Sequence, residues 1–167
     1  MKITHAQKIA VTVAAALGLA GGSAVYAASS DTQTVNFTIN SISEIDVANS
    51  AVTLTVGSAT AGSNPTPATA TSSYSITTTA STNGKKITAA LDTAMPTNVT
   101  LQVAVDAPTG SGTSQGTVTL SATPVDVVTA LQGVAQTNVS INYTLGATLA
   151  ALPTSSLRTV TYTIVDL

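Results

Sequence analysis

The sequence contains no cysteine and no tryptophan, and its single histidine, His5, lies close to the start of the chain. Without cysteine there are no disulfides, no thiolate nucleophiles and no cysteine-ligated zinc or iron–sulfur sites. If the first 27 residues are removed, as the next observations indicate, histidine is lost as well, which excludes a Ser-His-Asp triad. We therefore expect no catalytic residues, no metal site and no cofactor.

Charge is also scarce, at 7% of residues. Beyond residue 27 the cations are Lys85, Lys86 and Arg158, which stand against all seven carboxylates of the chain and leave a net charge of −4. An acidic, lysine-poor surface offers no electrostatic footprint for nucleic acid or for anionic lipid. We expect neither partner.

The start of the chain has the organisation of an export signal. Lys2 and Lys8 form a basic region, an apolar stretch follows at 9–20, and Val25 and Ala27 place small residues at positions −3 and −1 of a cleavage site. This pattern predicts a signal peptide that ends at Ala27. A retained N-terminal anchor is the competing interpretation.

Cleavage there would leave a single domain, residues 28–167, that works outside the cytoplasm. We expect it to be secreted, extracellular or at the cell surface, with periplasmic transit where the envelope has two membranes. No later apolar run is long enough to span ~30 Å of hydrocarbon, so no membrane span is expected after signal removal.

The remaining chain is rich in threonine and valine, which favour extended backbone. Apolar residues alternate with Thr, Ser, Asn or Gln in one segment after another, which is typical of strands with one buried face. The pattern predicts eight or nine short strands in an all-β, immunoglobulin-like two-sheet antiparallel β-sandwich. The alternating runs lie at 35–39, 45–47, 52–56, 74–76, 87–91, 99–105, 118–120, 139–145 and 160–164.

Two stretches between these runs carry local predictions. Asn83-Gly84 predicts a tight β-hairpin, because a type I′ turn requires positive φ at both central residues. Lys85 and Lys86, which follow it, are then expected to be solvated charges at the hairpin end. Residues 124–136 fit either a short helix or an irregular crossing strand.

Two sets of polar residues are candidate functional sites. Glu44 and Asp46 share one face of a predicted strand and suggest an acid/base pair or a calcium site, but two solvated charges explain them more simply. Four Asn-X-Ser/Thr triplets suggest N-glycosylation, although a chain this rich in threonine forms such triplets by chance. They begin at Asn36, Asn98, Asn138 and Asn142.

The order of these segments resembles the cysteine-free major pilins of the chaperone–usher colonisation-factor (alpha) class. The resemblance rests on the following segments: an N-terminal extended 34–39, then 43–47, a central 73–77 followed by 83–88, and a closing alternating strand at 158–164.

Membership of that class would imply an incomplete sandwich that accepts the N-terminal strand of the next subunit. Residues 28–40 would be that donor strand, and Val35, Phe37 and Ile39 would be the inserted side chains. The expected partners are then copies of the same chain and an export chaperone. The alternative is that these three residues form an ordinary first strand of their own sandwich.

The leading functional hypothesis is a non-enzymatic structural subunit of a surface fibre, pilus, coat or biofilm matrix. The alternative is a secreted monomeric adhesin or carbohydrate-binding module on the same fold. Sugar sites generally use aromatic platforms, whereas the aromatic residues here lie at inward positions of predicted strands, which counts against that alternative. They are Phe37, Tyr74, Tyr143 and Tyr162. An exported carboxylate enzyme has least support.

The signal peptide yields a direct prediction. Signal peptidase should cut after Ala27, because small side chains are what its −3 and −1 pockets accept. The intact mass of exported protein should equal that of a chain that begins at Ala28. A mass that includes the first 27 residues would contradict the prediction.

Overall fold

The structure is a computed structural model that describes residues 30–48 and 51–167. The predicted signal peptide and Ala28 lie outside the described residues. Within them there are nine strands and no helix, and thus no helix with the length and apolar character needed to cross a membrane. The strands are β1 (Ser43–Val47), β2 (Ala68–Thr78), β3 (Lys85–Leu91), β4 (Val99–Val105), β5 (Thr113–Ser114), β6 (Thr117–Thr119), β7 (Val125–Leu131), β8 (Val134–Ala147) and β9 (Val160–Asp166).

The strands form two sheets in which every neighbouring pair is antiparallel. The larger sheet has the order β1-β2-β8-β4-β6, and the smaller has the order β5-β7-β3-β9. This confirms the predicted all-β fold of two antiparallel sheets that form a sandwich.

The core consists of the inward residues that the alternation indicated. Ile87 and Ala89 of β3, Val103 of β4 and Ile141 of β8 are all fully buried, while the residues between them are more exposed. Threonine and other small polar residues occupy most of the outward positions. Because side chains in a strand alternate between faces, this one pattern forms both the core and the polar surface.

The sandwich has two distinct ends. At one end, which we call the Lys85 end, β3 begins beside Leu131 of β7 and Asp166 of β9. At the other, the Leu91 end, β3 finishes beside Val160 of β9. The larger sheet follows the same axis: β2 and β8 meet as Thr78 and Val134 near the Lys85 end, and β4 and β8 meet as Val99 and Ala147 near the Leu91 end.

The chain turns at Asn83-Gly84 as predicted, but the predicted type I′ turn and hairpin are wrong, since of the two residues only Gly84 has a positive φ and the flanking strands do not pair. Gly84 has φ +83° and its amide donates to the Ser81 carbonyl at 3.2 Å, so the chain does reverse locally. However, β2 and β3 belong to different sheets, which makes this connection a crossover. Each strand already has two other partners, so the turn links the two layers of the sandwich.

The segment 124–136 is extended. It contains β7, a turn at Gln132 and Gly133, and the start of β8. Val127, Val128 and Leu131, which a helix would have placed on one side, are all buried. Ala130 has φ +54°, and the pairing of β7 with β3 is irregular, which explains why the alternation is broken in the sequence.

Two tyrosine contacts tie distant parts of the fold together. The hydroxyl groups of Tyr143 on β8 and Tyr162 on β9 lie 2.7 Å apart and join the two sheets by a hydrogen bond. The hydroxyl of Tyr74 donates to the Asp106 carbonyl at 2.8 Å. Burial raises the pKa of all three tyrosines, and the nearby Asp106 charge adds to the effect at Tyr74. These hydroxyl groups therefore keep their protons to a higher pH in the folded protein than in the unfolded chain.

The raised tyrosine pKa values predict a loss of stability in alkali. Unfolded tyrosines ionise with a pKa of about 10, so the stabilisation is complete below that pH and falls as pH rises above it. Replacing Tyr143 and Tyr162 together by Phe should flatten this fall, because two of the three groups are gone. Urea unfolding from about pH 8 to pH 11, on both proteins, measures it. Parallel pH profiles would contradict the prediction.

Candidate functional site

The N-terminal segment, residues 30–42, has a strand-like sequence but belongs to no strand. Its three proposed assembly residues are highly exposed: Val35 by 73%, Phe37 by 83% and Ile39 by 81%. Three alternating large apolar side chains that all face solvent are unusual in a soluble domain. None of the three belongs to the hydrophobic core, whereas the apolar side chains of an ordinary first strand would be buried there.

The segment is fixed at its C-terminal end by Lys85. The Lys85 ammonium is fully buried and donates to the hydroxyl oxygens of Ser41 at 2.9 Å and Ser43 at 2.7 Å, and to the Ile42 carbonyl at 3.3 Å. It also forms an ion pair of 3.1 Å with Asp166, whose side chain is 64% exposed. A buried charge requires such partners, because desolvation without them costs several kcal/mol.

The prediction that Lys85 is a solvated hairpin charge was therefore wrong. Its neighbour Lys86 is only partly buried and pairs with Asp126 at 3.0 Å, which is closer to the prediction. Lys85 shares the inward parity of Ile87, Ala89 and the rest of β3. This inward position in the two-residue period was the sequence signal for the burial of Lys85, but the predicted turn favoured a solvated charge instead.

A second strand-like segment without a strand partner lies at residues 51–57. Val52, Leu54 and Val56 are half-buried between exposed neighbours, and the first two pack against the core. No backbone group of 51–57 hydrogen-bonds to another described residue. The predicted strand at 52–56 thus has the predicted side-chain pattern but lacks a ladder. It exposes about 23 Å of backbone, at 3.3 Å per residue, to pairing.

The two sheets also expose free edges where β1 and β9 face each other. β1 pairs only with β2, and β9 pairs only with β3, so each presents one unpaired edge. The two strands contact each other across the gap between the sheets without sharing a ladder. We call this region the β1–β9 side. Unpaired edges are the usual place for strand addition.

The carboxylate pair lies on β1 and has no ion-pair partner among the described residues. Glu44 and Asp46 are both exposed on β1, on the face opposite to Ile45 and Val47. Across the described residues, no three or more Asp or Glu side chains gather closely enough to hold a metal ion.

The asparagines of the four glycosylation triplets are all exposed. Asn98 and Asn138 have positive φ values of 69° and 57°; Asn98 lies in the turn before β4, and Asn138 lies within β8 where its pairing with β2 shifts register. The Asn98 amide also donates to the Ala150 carbonyl at 3.1 Å, which gives it a structural role.

The aromatic residues do not form a sugar platform. Tyr74 and Tyr143 are buried, Tyr162 is half-buried with its hydroxyl in the inter-sheet bond, and only Phe37 is exposed. An open depression of about 440 Å³ lies where β2 and β8 lose register, and its lining contains no aromatic side chain. The lining residues are Ser75, Ile76, Thr77, Ala135, Gln136 and Thr137.

Comparisons of the chain with protein-family models, with curated proteins and with solved structures find no match. Any functional proposal therefore depends on the geometry described above and on the sequence pattern.

The Lys85 contacts predict a specific loss of stability. Replacement of Lys85 by Met should cost about 1–3 kcal/mol of unfolding free energy, because it removes the charged hydrogen bonds to Ser41, Ile42 and Ser43 and the ion pair with Asp166. Lys86→Met is the matched control and should cost at most about 1 kcal/mol, since its ion pair is partly solvated. Chemical denaturation measures both. Equal costs would contradict the prediction.

Proposed function

We propose that this chain is an exported structural subunit that assembles with copies of itself into a surface fibre, pilus or similar coat. In this proposal residues 33–40 of one copy, which are in no strand of their own domain, form a strand against the β1–β9 side of the next copy. Val35, Phe37 and Ile39 become buried in the neighbour, as they would be in the pilins that the sequence resembles. The protein acts by assembling and carries out no reaction.

The exposure of Phe37 is the observation that carries this proposal. A phenylalanine that is 83% exposed, flanked by Val35 and Ile39 at the same parity, presents an apolar stripe that its own domain leaves in water. Burial of one such side chain contributes roughly 1.5–3 kcal/mol, and three of them give a strong drive towards association. The alternating Asn36 and Thr38 would face away from the neighbour.

Free backbone, both on the β1–β9 side and at residues 51–57, supports the other half of the proposal. An added strand needs an edge whose amides and carbonyls are unpaired, and both residues 51–57 and the outer edge of β9 offer one. Eight residues at 33–40 extend over ~26 Å, which matches the ~23 Å of residues 51–57. Donor and acceptor are thus of similar length.

Strand donation also gives the exported chain a need for an escort. Before assembly, three large apolar side chains and an open sheet edge would be exposed in the same molecule. Such a surface is prone to non-specific association. An export chaperone that covers the stripe or the edge until assembly is the partner that this chemistry suits.

The chemistry of the described residues favours a structural role over an enzymatic one. The chain lacks cysteine, its only histidine is in the predicted signal, and the exposed Glu44 and Asp46 face solvent without a third carboxylate near them. The adhesin alternative gains no support, because the three tyrosines serve the core and the inter-sheet bond.

A single substitution tests the proposal. Phe37→Asp should lower assembly at least about tenfold, since it removes roughly 1.5–3 kcal/mol of burial and would place an unpaired charge in the neighbour. The monomer itself should keep its unfolding free energy within about 0.5 kcal/mol, because Phe37 is exposed there. Electron microscopy counts filaments, and circular dichroism during denaturation follows the fold.

Asn36→Asp is the matched control. It adds the same charge one residue away, on the opposite face of the donated strand, so filaments should form at close to the normal level. Folded Phe37→Asp protein that still assembles normally would overturn the proposal. Unfolding of the Phe37→Asp monomer, with no rescue by a wild-type peptide of residues 31–41, would show instead that the segment is a resident first strand.

A further inference from the structure

The exposed large apolar side chains of the domain are confined to its two ends. Apart from the N-terminal stripe, they form two groups, and the outer faces of the sheets between them carry mainly threonine and other polar residues. One group, at the Leu91 end, consists of Leu149, Leu152 and Leu157; the other, at the Lys85 end, consists of Ile42, Val165 and Leu167.

The first group lies on the connection between β8 and β9, residues 148–159, which we call the leucine loop. Its leucines are 75%, 82% and 86% exposed, and residues 148–157 carry no charged side chain. The loop is nevertheless held in place at both ends. The Thr148 amide donates to the Asn98 carbonyl at 3.0 Å, and the Thr159 amide donates to the Asp92 carboxylate at 3.0 Å. A loop fixed in this way presents a defined apolar surface.

The second group surrounds the place where the N-terminal segment joins the sandwich. The Ile42 amide donates to the Thr79 hydroxyl at 2.9 Å, and its carbonyl accepts from Lys85. The Leu167 amide donates to the Gly84 carbonyl at 3.1 Å, which fixes the end of β9 at the same place. Ile42, Val165 and Leu167 are 44%, 37% and 49% exposed.

Chain length brings these two surfaces together once a strand is donated. Ile39 would lie in the neighbouring copy, whereas Ile42 is bonded to its own body, and only Asn40 and Ser41 separate them. Three residue steps span at most ~11 Å. The Lys85 end of the donor must therefore touch the neighbour. Contact with the neighbour's own Lys85 end would be isologous and would close a pair, whereas an open fibre requires two different surfaces to meet, and the leucine loop is the other exposed apolar surface of the sandwich.

We infer that the leucine loop of one copy packs against the Ile42, Val165 and Leu167 surface of the next, as a second contact between subunits. This inference rests on the proposed strand donation and adds the surface that sets the end-to-end arrangement. The occupant of the leucine loop is a second copy of this chain. The leucine loop is apolar, and the exposed Asp166 between Val165 and Leu167 already has Lys85 as its partner, so the contact adds to the donated strand without a need for charge pairing between copies.

The absence of cysteine permits a direct test. The double variant Leu152→Cys/Leu167→Cys places one thiol at each end of an otherwise thiol-free chain. Assembled filaments are treated with a short flexible bismaleimide, which relaxes the strict Cα separation that a disulfide demands. We expect a ladder of covalent multimers on a denaturing gel. Thr71→Cys/Thr163→Cys, with both thiols on outer sheet faces, is the control and should remain monomeric.

A second measurement separates this contact from strand donation. Leu149→Asp/Leu157→Asp should raise the concentration needed for filament formation about tenfold or more, because two charges replace buried apolar surface. Added to the full chain that already carries Phe37→Asp, the same two changes should leave the binding of a labelled peptide of residues 31–41 unaltered.

The outcomes are distinct. Filaments that give no ladder, or that form normally with both aspartates, would overturn the end-to-end contact and leave strand donation standing. A wild-type chain that forms no filaments, together with a peptide that does not bind, would overturn the proposed function itself and the inference with it.

Discussion

The buried ammonium of Lys85 is the interaction on which the arrangement of this domain depends. It draws the hydroxyls of Ser41 and Ser43 and the Ile42 carbonyl onto the first residue of β3, and it pairs with Asp166 at the end of β9. One charge thus joins the start of the larger sheet to the smaller sheet. A buried lysine without partners would be strongly destabilising, so the contacts with Lys85 hold Ser41 to Ser43 against the start of β3. The N-terminal segment is therefore attached to the sandwich at Ser41.

The division between paired and unpaired segments follows from this fixed point. β1 pairs with β2 over five residues and Ala48 still donates to the Ser73 carbonyl, whereas residues 51–57 keep an apolar alternation without backbone hydrogen bonds to other described residues. Residues 30–42 show the same combination of strand-like sequence and missing ladder. In the proposed assembly, the unpaired stripe of one copy supplies the strand that the unpaired edge of the next copy lacks. This is the physical basis of the proposed assembly.

Much of the fold was predictable from the two-residue period, and most of the site was not. The inward sets around Ile87, Val103 and Ile141 form the core as predicted, because one-sided burial leaves its mark on every second residue. Alternation says nothing, however, about which strands become neighbours. The turn at Asn83-Gly84 therefore suggested a hairpin where the chain crosses between sheets, and 35–39 and 52–56 were read as strands although they lack ladders. The burial of Lys85 was not predicted, because its charge and its place after a turn favour a solvated side chain, whereas its inward position in β3 indicates a buried one.

The antiparallel pairing of β1 with β2 has a mechanical consequence. If copies are linked through their N-terminal segments, tension on the linkage pulls Ser43 along the strand axis and out of its own sandwich at the Lys85 end. Ladder hydrogen bonds lie perpendicular to the strands, so such a pull loads the bonds from Ser43 to Val47 in shear, and they resist together rather than opening one at a time. The Lys85 contacts stand ahead of them on the same path and carry the load first. A cysteine-free domain would in this way bear traction through geometry where other extracellular domains use covalent cross-links.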